Sequence, residues 1–149
     1  MRRRGVEVLI LVARAGLGGL LIVAGALKIR APGAFATEIG NYQLLPAVAP
    51  YLTPYLAAVL PTIELALGAA LLVAPRAWRQ AAALGAALLL VGFTTAVGSA
   101  YFRHINIDCG CFGTGGGPIT LVTLLRNLAL EAIACALVRF QAPPARGLG

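Results

Sequence analysis

The chain has 149 residues, of which 60% are hydrophobic and only 11% are charged, and it carries a formal net charge of +7. A soluble domain has about a quarter of its residues charged, so this composition excludes an ordinary soluble fold and indicates lipid as the main solvent. The basic residues stand mostly at the ends of apolar runs, where membrane proteins keep them, and form no patch interleaved with aromatic side chains. The sequence therefore predicts an integral membrane protein with no nucleic-acid partner.

Four apolar runs predict four membrane-spanning helices. Each has about the 20 residues that a helix rising about 1.5 Å per residue needs to cross a hydrocarbon core of about 30 Å. Backbone groups find no water in lipid, so such runs form helices. The first run is longer than the apolar part of a signal peptide, and three more follow it, so we expect it to stay in the mature protein. The predicted fold is an all-α four-helix bundle, a single membrane domain over residues 1–149 with spans at residues 8–27, 54–74, 80–102 and 119–140.

The arginines predict the orientation of these spans. Positive residues favour the cytoplasmic side of a membrane, and most of them fall on one side if the N-terminus is cytoplasmic. On that side lie Arg2, Arg3, Arg4, Arg76, Arg79, Arg139 and Arg146, and on the other only Lys28, Arg30 and Arg103. We therefore predict a protein of the cell (cytoplasmic) membrane with both termini in the cytoplasm. The connection between the third and fourth spans is then extracytoplasmic.

The first outer connection, residues 28–53, contains a predicted short helix. Phe35, Ile39 and Tyr42 recur at spacings of four and three residues, which places them on one helical face. Such a helix is expected to lie along the outer surface of the membrane, as a lid or a packing element.

Four ionisable residues, Arg14, Glu64, Arg126 and Glu131, fall inside the predicted spans. In hydrocarbon an Arg or Asp costs at least about 2.5 kcal/mol, so each of these residues is expected to face the bundle interior beside a partner. Their depths predict Arg14 paired with Glu131, and Glu64 paired with Arg126 or with a polar group above it. Such pairs could serve only to fix helix register. Because Pro61 removes a backbone hydrogen bond near Glu64, that carboxyl could also serve a proton path or a quinone-like ligand.

Two of the three cysteines, Cys109 and Cys111, flank Gly110 in the predicted extracytoplasmic connection. That compartment permits disulfides, and glycine best accepts the distorted backbone of so small a ring. Strained disulfides exchange with thiols more readily than structural ones. Basic residues and His104 on the same side would favour a thiolate, whereas Asp108 would oppose it or accept a proton.

Other interpretations of this pair stay open. The disulfide could merely staple the loop of a non-catalytic assembly or scaffold subunit. Two thiolates could hold copper, whereas a zinc site made from the cysteines with His104 and Asp108 would be crowded, and no metal site is predicted. Cys135, inside the fourth span, is predicted to be a packing residue. A small transporter is disfavoured because four helices enclose little room without oligomerisation.

Motifs along nearly the whole chain resemble those of one family. They are, in order, a glycine-rich first span ending in GALKI, then NYQLLP, LPTIELALG and DCGCFG. These motifs resemble the DoxX-like superfamily of small four-helix membrane proteins and, more closely, its MauE-type branch, the methylamine utilisation membrane proteins. The resemblance implies redox maturation outside the cytoplasmic membrane. The implied partner is a thioredoxin-like protein, and the implied target is the set of disulfides in a methylamine dehydrogenase subunit.

By the same resemblance, Cys109 and Cys111 are the redox pair, and Lys28, Tyr42 and Glu64 are motif positions. A partner thiolate would attack the disulfide, and the second thiol would resolve the mixed disulfide. The chain would act as a thiol–disulfide oxidoreductase or as its accessory subunit, alone or in a homo- or hetero-oligomer. Since the sequence has no second outer cysteine pair, either a quinone near Lys28 and Glu64 or a soluble partner must regenerate the disulfide.

Overall fold

The computed structural model describes residues 2–44, 51–105 and 118–140, and only the backbone of residues 2, 3 and 77. Four of its helices are long and apolar enough to cross a membrane, which confirms the predicted four-helix membrane bundle. A fifth, shorter helix lies in the first connection and confirms the one predicted there. In chain order the helices are α1 (Arg2–Arg30), α2 (Pro32–Asn41), α3 (Leu52–Val73), α4 (Arg76–Phe102) and α5 (Leu121–Phe140).

Prolines mark the boundaries of three of these helices. Pro32 is the first residue of α2. A proline is well placed there because the N–H that it lacks would have no acceptor within the helix. Ala74 ends α3 with an extended backbone (φ −67°, ψ 155°), because the residue before a proline avoids the helical region. Pro75 then precedes the first residue of α4. So short a connection makes α3 and α4 antiparallel neighbours.

The core contains mainly leucine and alanine side chains. It includes Leu17 and Leu21 of α1, Leu71 of α3 and Leu137 of α5, which pack against four buried alanines of α4. Small side chains let membrane helices approach closely and gain packing contacts that lipid does not supply. The alanines of α4 are Ala82, Ala83, Ala86 and Ala87.

Helices α1 and α3 approach each other closely, and they do so at glycines. A Cβ atom on Gly68 would lie 2.7 Å from the carbonyl oxygen of Gly18, and one on Gly25 would lie 2.8 Å from the carbonyl oxygen of Pro61. Real Cβ atoms do not come so near a backbone oxygen, so a side chain at either position would push the two helices apart. These glycines therefore set the distance between the two helices that carry Lys28 and Glu64.

The short helix α2 packs against α3. Its Phe35 is 6% exposed, and Ile39 and Tyr42 on the same face are partly buried. The three residues predicted to share one helical face therefore do so, and the structure turns that face toward the bundle. It covers one end of the bundle, beside the C-terminal end of α1.

Candidate functional site

Two opposite charges meet inside the bundle, Lys28 from α1 and Glu64 from α3. Their side chains are 2% and 1% exposed, and the Lys28 ammonium donates a hydrogen bond to Glu64 Oε1 in a direct ion pair. An isolated charge in a low-dielectric interior is strongly unfavourable, so each of these groups depends on the other. The pair therefore ties α1 to α3 next to the contact between Gly25 and Pro61.

The position of each charge follows from helical periodicity. On α1, Lys28 continues the buried face formed by Leu17, Leu21 and Ala24. On α3, Glu64 stands in a buried row at alternating spacings of four and three, with Ala57, Pro61, Gly68 and Leu71. Side chains at these spacings share one helical face. This signal was present in the sequence, but the predicted span ended at residue 27, one residue too early to include Lys28.

Aromatic rings flank the Lys28 ammonium on two sides. Its Nζ lies 5.1 Å from the ring centroid of Phe35 and 4.6 Å from that of Phe93. Both distances fall within the range of cation–π attraction. Because Phe35 belongs to α2 and Phe93 to α4, the side chain of Lys28 contacts three helices besides its own.

An apolar cavity of about 300 Å³ opens beside Lys28, between α1, α2, α3 and α4. Its polar side chains are Lys28, Glu38 and Tyr42, and the rest of its wall is leucine, phenylalanine and other apolar residues. Small-molecule sites in proteins have this character, an apolar wall with a few polar groups that orient the ligand. The cavity is therefore a candidate ligand site.

The Tyr42 phenol lies at the α2 side of this cavity. Burial, together with the negative charge of Glu38, raises the pKa of Tyr42 to about 12. The hydroxyl therefore keeps its proton at physiological pH and remains a hydrogen-bond donor.

A second cavity, of about 30 Å³, lies on the other side of the ion pair. Both cavities contact Lys28 and Phe93, and the smaller one also contacts Glu64, Arg126 and Asn127. Glu64 Oε2 faces no hydrogen-bond donor among the described residues, and the cavity has room for a water molecule that could serve it. Lys28 thus borders both the apolar ligand-sized cavity and the small one that Glu64, Arg126 and Asn127 also line.

Arg103 holds the end of α4 against the end of α2. Its Nη1 donates to the carbonyl oxygen of Tyr42 at 3.2 Å, and its Nη2 donates to Gln43 Oε1 at 3.2 Å. Ile105, the last described residue after α4, therefore lies at the end of the bundle where Lys28, Tyr42 and the larger cavity are found.

The predicted pairing of Arg14 with Glu131 is wrong: both residues are described, and the structure places no ion pair between them. Arg14 instead faces Arg76 and Arg79, and its buried Nε has no hydrogen-bond partner within the described part of the chain. Equal depth along two helices sets the height of two side chains but not the rotation of each helix about its axis. Glu64 is paired with Lys28, and Arg126 lies across the small cavity from that pair.

The predicted redox residues Cys109 and Cys111, with Asp108 and Gly110, lie outside the described residues. His104 is described, and it is exposed with a left-handed backbone (φ 54°) just after the end of α4. The packing role predicted for Cys135 is wrong, because its side chain is exposed on the outer face of α5.

Taken together, the fold and this site define a four-helix membrane protein with a buried lysine–glutamate pair beside an apolar cavity. The chain belongs to the family described as Methylamine utilisation protein MauE, which it matches over residues 6–140. It is 40% identical over 121 residues to the Methylamine utilization protein MauE of Paracoccus denitrificans, covering 79% of this chain and 62% of that protein. It is 38% identical over 121 residues to the protein of the same name from Methylophilus methylotrophus, covering 77% of this chain and 60% of that protein.

The matched region spans about three fifths of the length of these curated relatives. No solved structure matches the chain.

Proposed function

We propose that this protein is the membrane component of a thiol–disulfide exchange pathway, in which Cys109 and Cys111 react with a thioredoxin-like protein outside the cytoplasm. The observation that carries the proposal is the Cys-Gly-Cys sequence between α4 and α5. In the chain it follows residues 103–108, which come after the end of α4 that Arg103 holds beside the larger cavity.

The relatives' names suggest the setting of this pathway. Both are called methylamine utilization proteins, so the target we propose is a protein of methylamine utilisation whose disulfides must be formed. The motif resemblance points to a methylamine dehydrogenase subunit as that target. The wider DoxX-like grouping stays a prediction from the motifs.

The proposed orientation places both chain termini in the cytoplasm and the larger cavity near the outer face of the cell membrane. The distribution of charge on the described helices supports this. Lys28, Arg30 and Arg103 lie at one end of the bundle, whereas Arg76 and Arg79 lie at the other, near the N-terminal turns of α1 that include Arg4.

In the proposed reaction, a thiolate of the partner attacks one sulfur of the Cys109–Cys111 disulfide. A mixed disulfide forms, and the other cysteine leaves as a thiolate. The second partner thiolate then attacks the mixed disulfide, so the partner gains a disulfide bond. Cys109 and Cys111 are left as a dithiol that holds the partner's two electrons and two protons.

We propose that a lipid-soluble quinone in the larger cavity oxidises this dithiol back to the disulfide. Reduction of a quinone to a quinol takes up two electrons and two protons, so the dithiol supplies all that the quinone needs. A volume of about 300 Å³ and an apolar wall suit a substituted ring, and the Lys28 ammonium can donate a hydrogen bond to a ring carbonyl. Leu56 and Leu60 line the same cavity, and their side chains can contact the isoprenoid tail of the quinone.

Replacing Cys109 and Cys111 together by serine is expected to abolish oxidation of the partner. The assay follows loss of free thiols from reduced thioredoxin, used as the probe, in membranes that contain the full chain and an added quinone. The double variant should reach only the rate of membranes without the protein. Cys135→Ser is the matched control and should keep the wild-type rate, because Cys135 is exposed on α5.

Each competing interpretation gives a different result in the same membranes. A scaffold with a structural disulfide predicts equal rates for the double variant and the wild type, and no mixed disulfide trapped by Cys111→Ser. A metal-handling protein predicts copper or zinc that copurifies with the wild type and is lost from the double variant. Either outcome would contradict the exchange reaction.

A further inference from the structure

A third cavity, of about 260 Å³, lies at the end of the bundle opposite Lys28. It is formed by the N-terminal part of α1, the first turn of α4 and the last residue of α5. Its lining residues are Glu7, Ile10, Arg14, Arg76, Arg79 and Phe140. The function proposed above does not use this cavity.

Charge is not balanced in this cavity. Three guanidinium groups face it with a single carboxylate, Glu7, which leaves two positive charges uncompensated. The Nε of Arg79 donates to the carbonyl oxygen of Ala74 at 2.6 Å, whereas the buried Nε of Arg14 has no hydrogen-bond partner among the described residues. Arginines that converge in excess of their acidic partners make a site for an anion.

The arrangement of the guanidinium donors favours a phosphate group. A guanidinium presents its donors as a planar fork that fits two oxygens of a phosphate, and several guanidiniums can share one tetrahedral group. Side chains on a helix lean toward its N-terminus, so the long side chain of Arg14 reaches from within the α1 span toward the helix end. Arg14 can thereby meet Arg76 and Arg79 at that end of the bundle.

We propose that this cavity binds the phosphate headgroup of an anionic phospholipid. Arg14, Arg76 and Arg79 hold the phosphate oxygens, and Ile10 and Phe140 contact the first part of an acyl chain. The apolar side of the cavity favours a lipid over free phosphate, because a free phosphate ion has no apolar part to contact it. In the orientation proposed above this end of the bundle faces the cytoplasm, where the negative surface of the leaflet attracts arginines near helix ends.

Native mass spectrometry of the purified full chain tests this site. The protein is exchanged into mixed micelles that contain phosphatidylglycerol and phosphatidylcholine with the same acyl chains, and the lipid that stays bound is counted. We expect phosphatidylglycerol to be retained at least about tenfold better than phosphatidylcholine. Each of the substitutions Arg14→Gln, Arg76→Gln and Arg79→Gln should lower that retention by about fivefold, the contribution of one arginine near an anionic surface.

Two further variants guard against misfolding as the cause of a loss. Glu7→Gln removes the one carboxylate of the cavity and should raise retention of phosphatidylglycerol, a gain that a damaged fold would not give. Arg139→Gln removes an exposed arginine of α5 that does not line the cavity, and it should leave retention unchanged.

Other results would overturn the assignment. Equal retention of the two lipids by the wild type, or unchanged retention in the triple variant of Arg14, Arg76 and Arg79, would show that the cavity does not select an anionic headgroup. Displacement of phosphatidylglycerol by millimolar inorganic phosphate would make it a site for free phosphate instead. None of these results depends on the cysteines, so they leave the proposed exchange reaction untouched.

Discussion

Replacing Lys28 with methionine is expected to lower the free energy of unfolding by about 3–5 kcal/mol, the usual cost of removing one partner from a buried ion pair. The cost arises because Glu64, 1% exposed, then lacks the ammonium that compensates its charge. The substitution also removes the cation between the rings of Phe35 and Phe93. Unfolding by heat or denaturant in detergent micelles, followed by circular dichroism, measures the change.

A double-mutant cycle separates the interaction energy between Lys28 and Glu64 from the cost of shortening either side chain alone. Lys28→Met with Glu64→Leu replaces both charges by apolar groups, so it should be much more stable than the sum of the two single changes predicts. Arg30→Met is the matched control, because Arg30 is exposed on the same helix end, and it should change stability little. Additive losses in the double variant would contradict a direct dependence of each charge on the other.

Filling the larger cavity is expected to stop repeated turnover while leaving the first exchange intact. Gly92 lines this cavity, and a Cβ atom there would meet nothing within 4 Å, so the backbone admits a side chain at this position and Gly92→Leu is chosen to occupy the cavity. The variant should oxidise one partner dithiol per protein and then stop, whereas the wild type continues while quinone remains. We expect the steady-state rate to fall at least about tenfold, equivalent to about 1.4 kcal/mol of lost quinone binding.

Gly16→Leu is the control for this substitution. Gly16 is exposed on α1, and a Cβ atom there would also meet nothing within 4 Å, but this glycine does not line the cavity. Its variant should turn over as the wild type does. If Gly92→Leu also kept the wild-type steady-state rate, the quinone would not occupy this cavity, although the exchange at Cys109 and Cys111 could still occur.

The sequence was sufficient to predict the helices of this protein because apolar length and periodicity are local properties. Four long runs gave the four spans, and the spacing of Phe35, Ile39 and Tyr42 gave the short helix and the face that these three residues share. Pro32 and Pro75 mark two of the helix boundaries in the same local way.

The contacts between helices were predicted less well, because they depend on how each helix is rotated and how near it comes to its neighbours. Lys28 reaches Glu64 because Gly25 and Gly68 let α1 and α3 come close together. The distance between two helices cannot be derived from the residue pattern of either helix alone. Arg14 does not pair with Glu131, because equal depth in the membrane does not fix the rotation of either helix about its axis. The buried faces of α1 and α3 show that rotation could have been read from periodicity once each helix was extended to its full length.

We propose that Cys109 and Cys111 form an exchangeable disulfide on the outer side of the membrane. Differential alkylation in intact cells tests it most directly, with a membrane-impermeant thiol reagent and Cys135→Ser as the background, so that only the pair can react. We predict no labelling at first, and labelling of both cysteines after a mild membrane-impermeant reductant, without lysis of the cells. Labelling only after lysis would place the pair on the cytoplasmic side, and a pair that stays unlabelled until strong reductant is added would be a structural disulfide; either result would contradict the account.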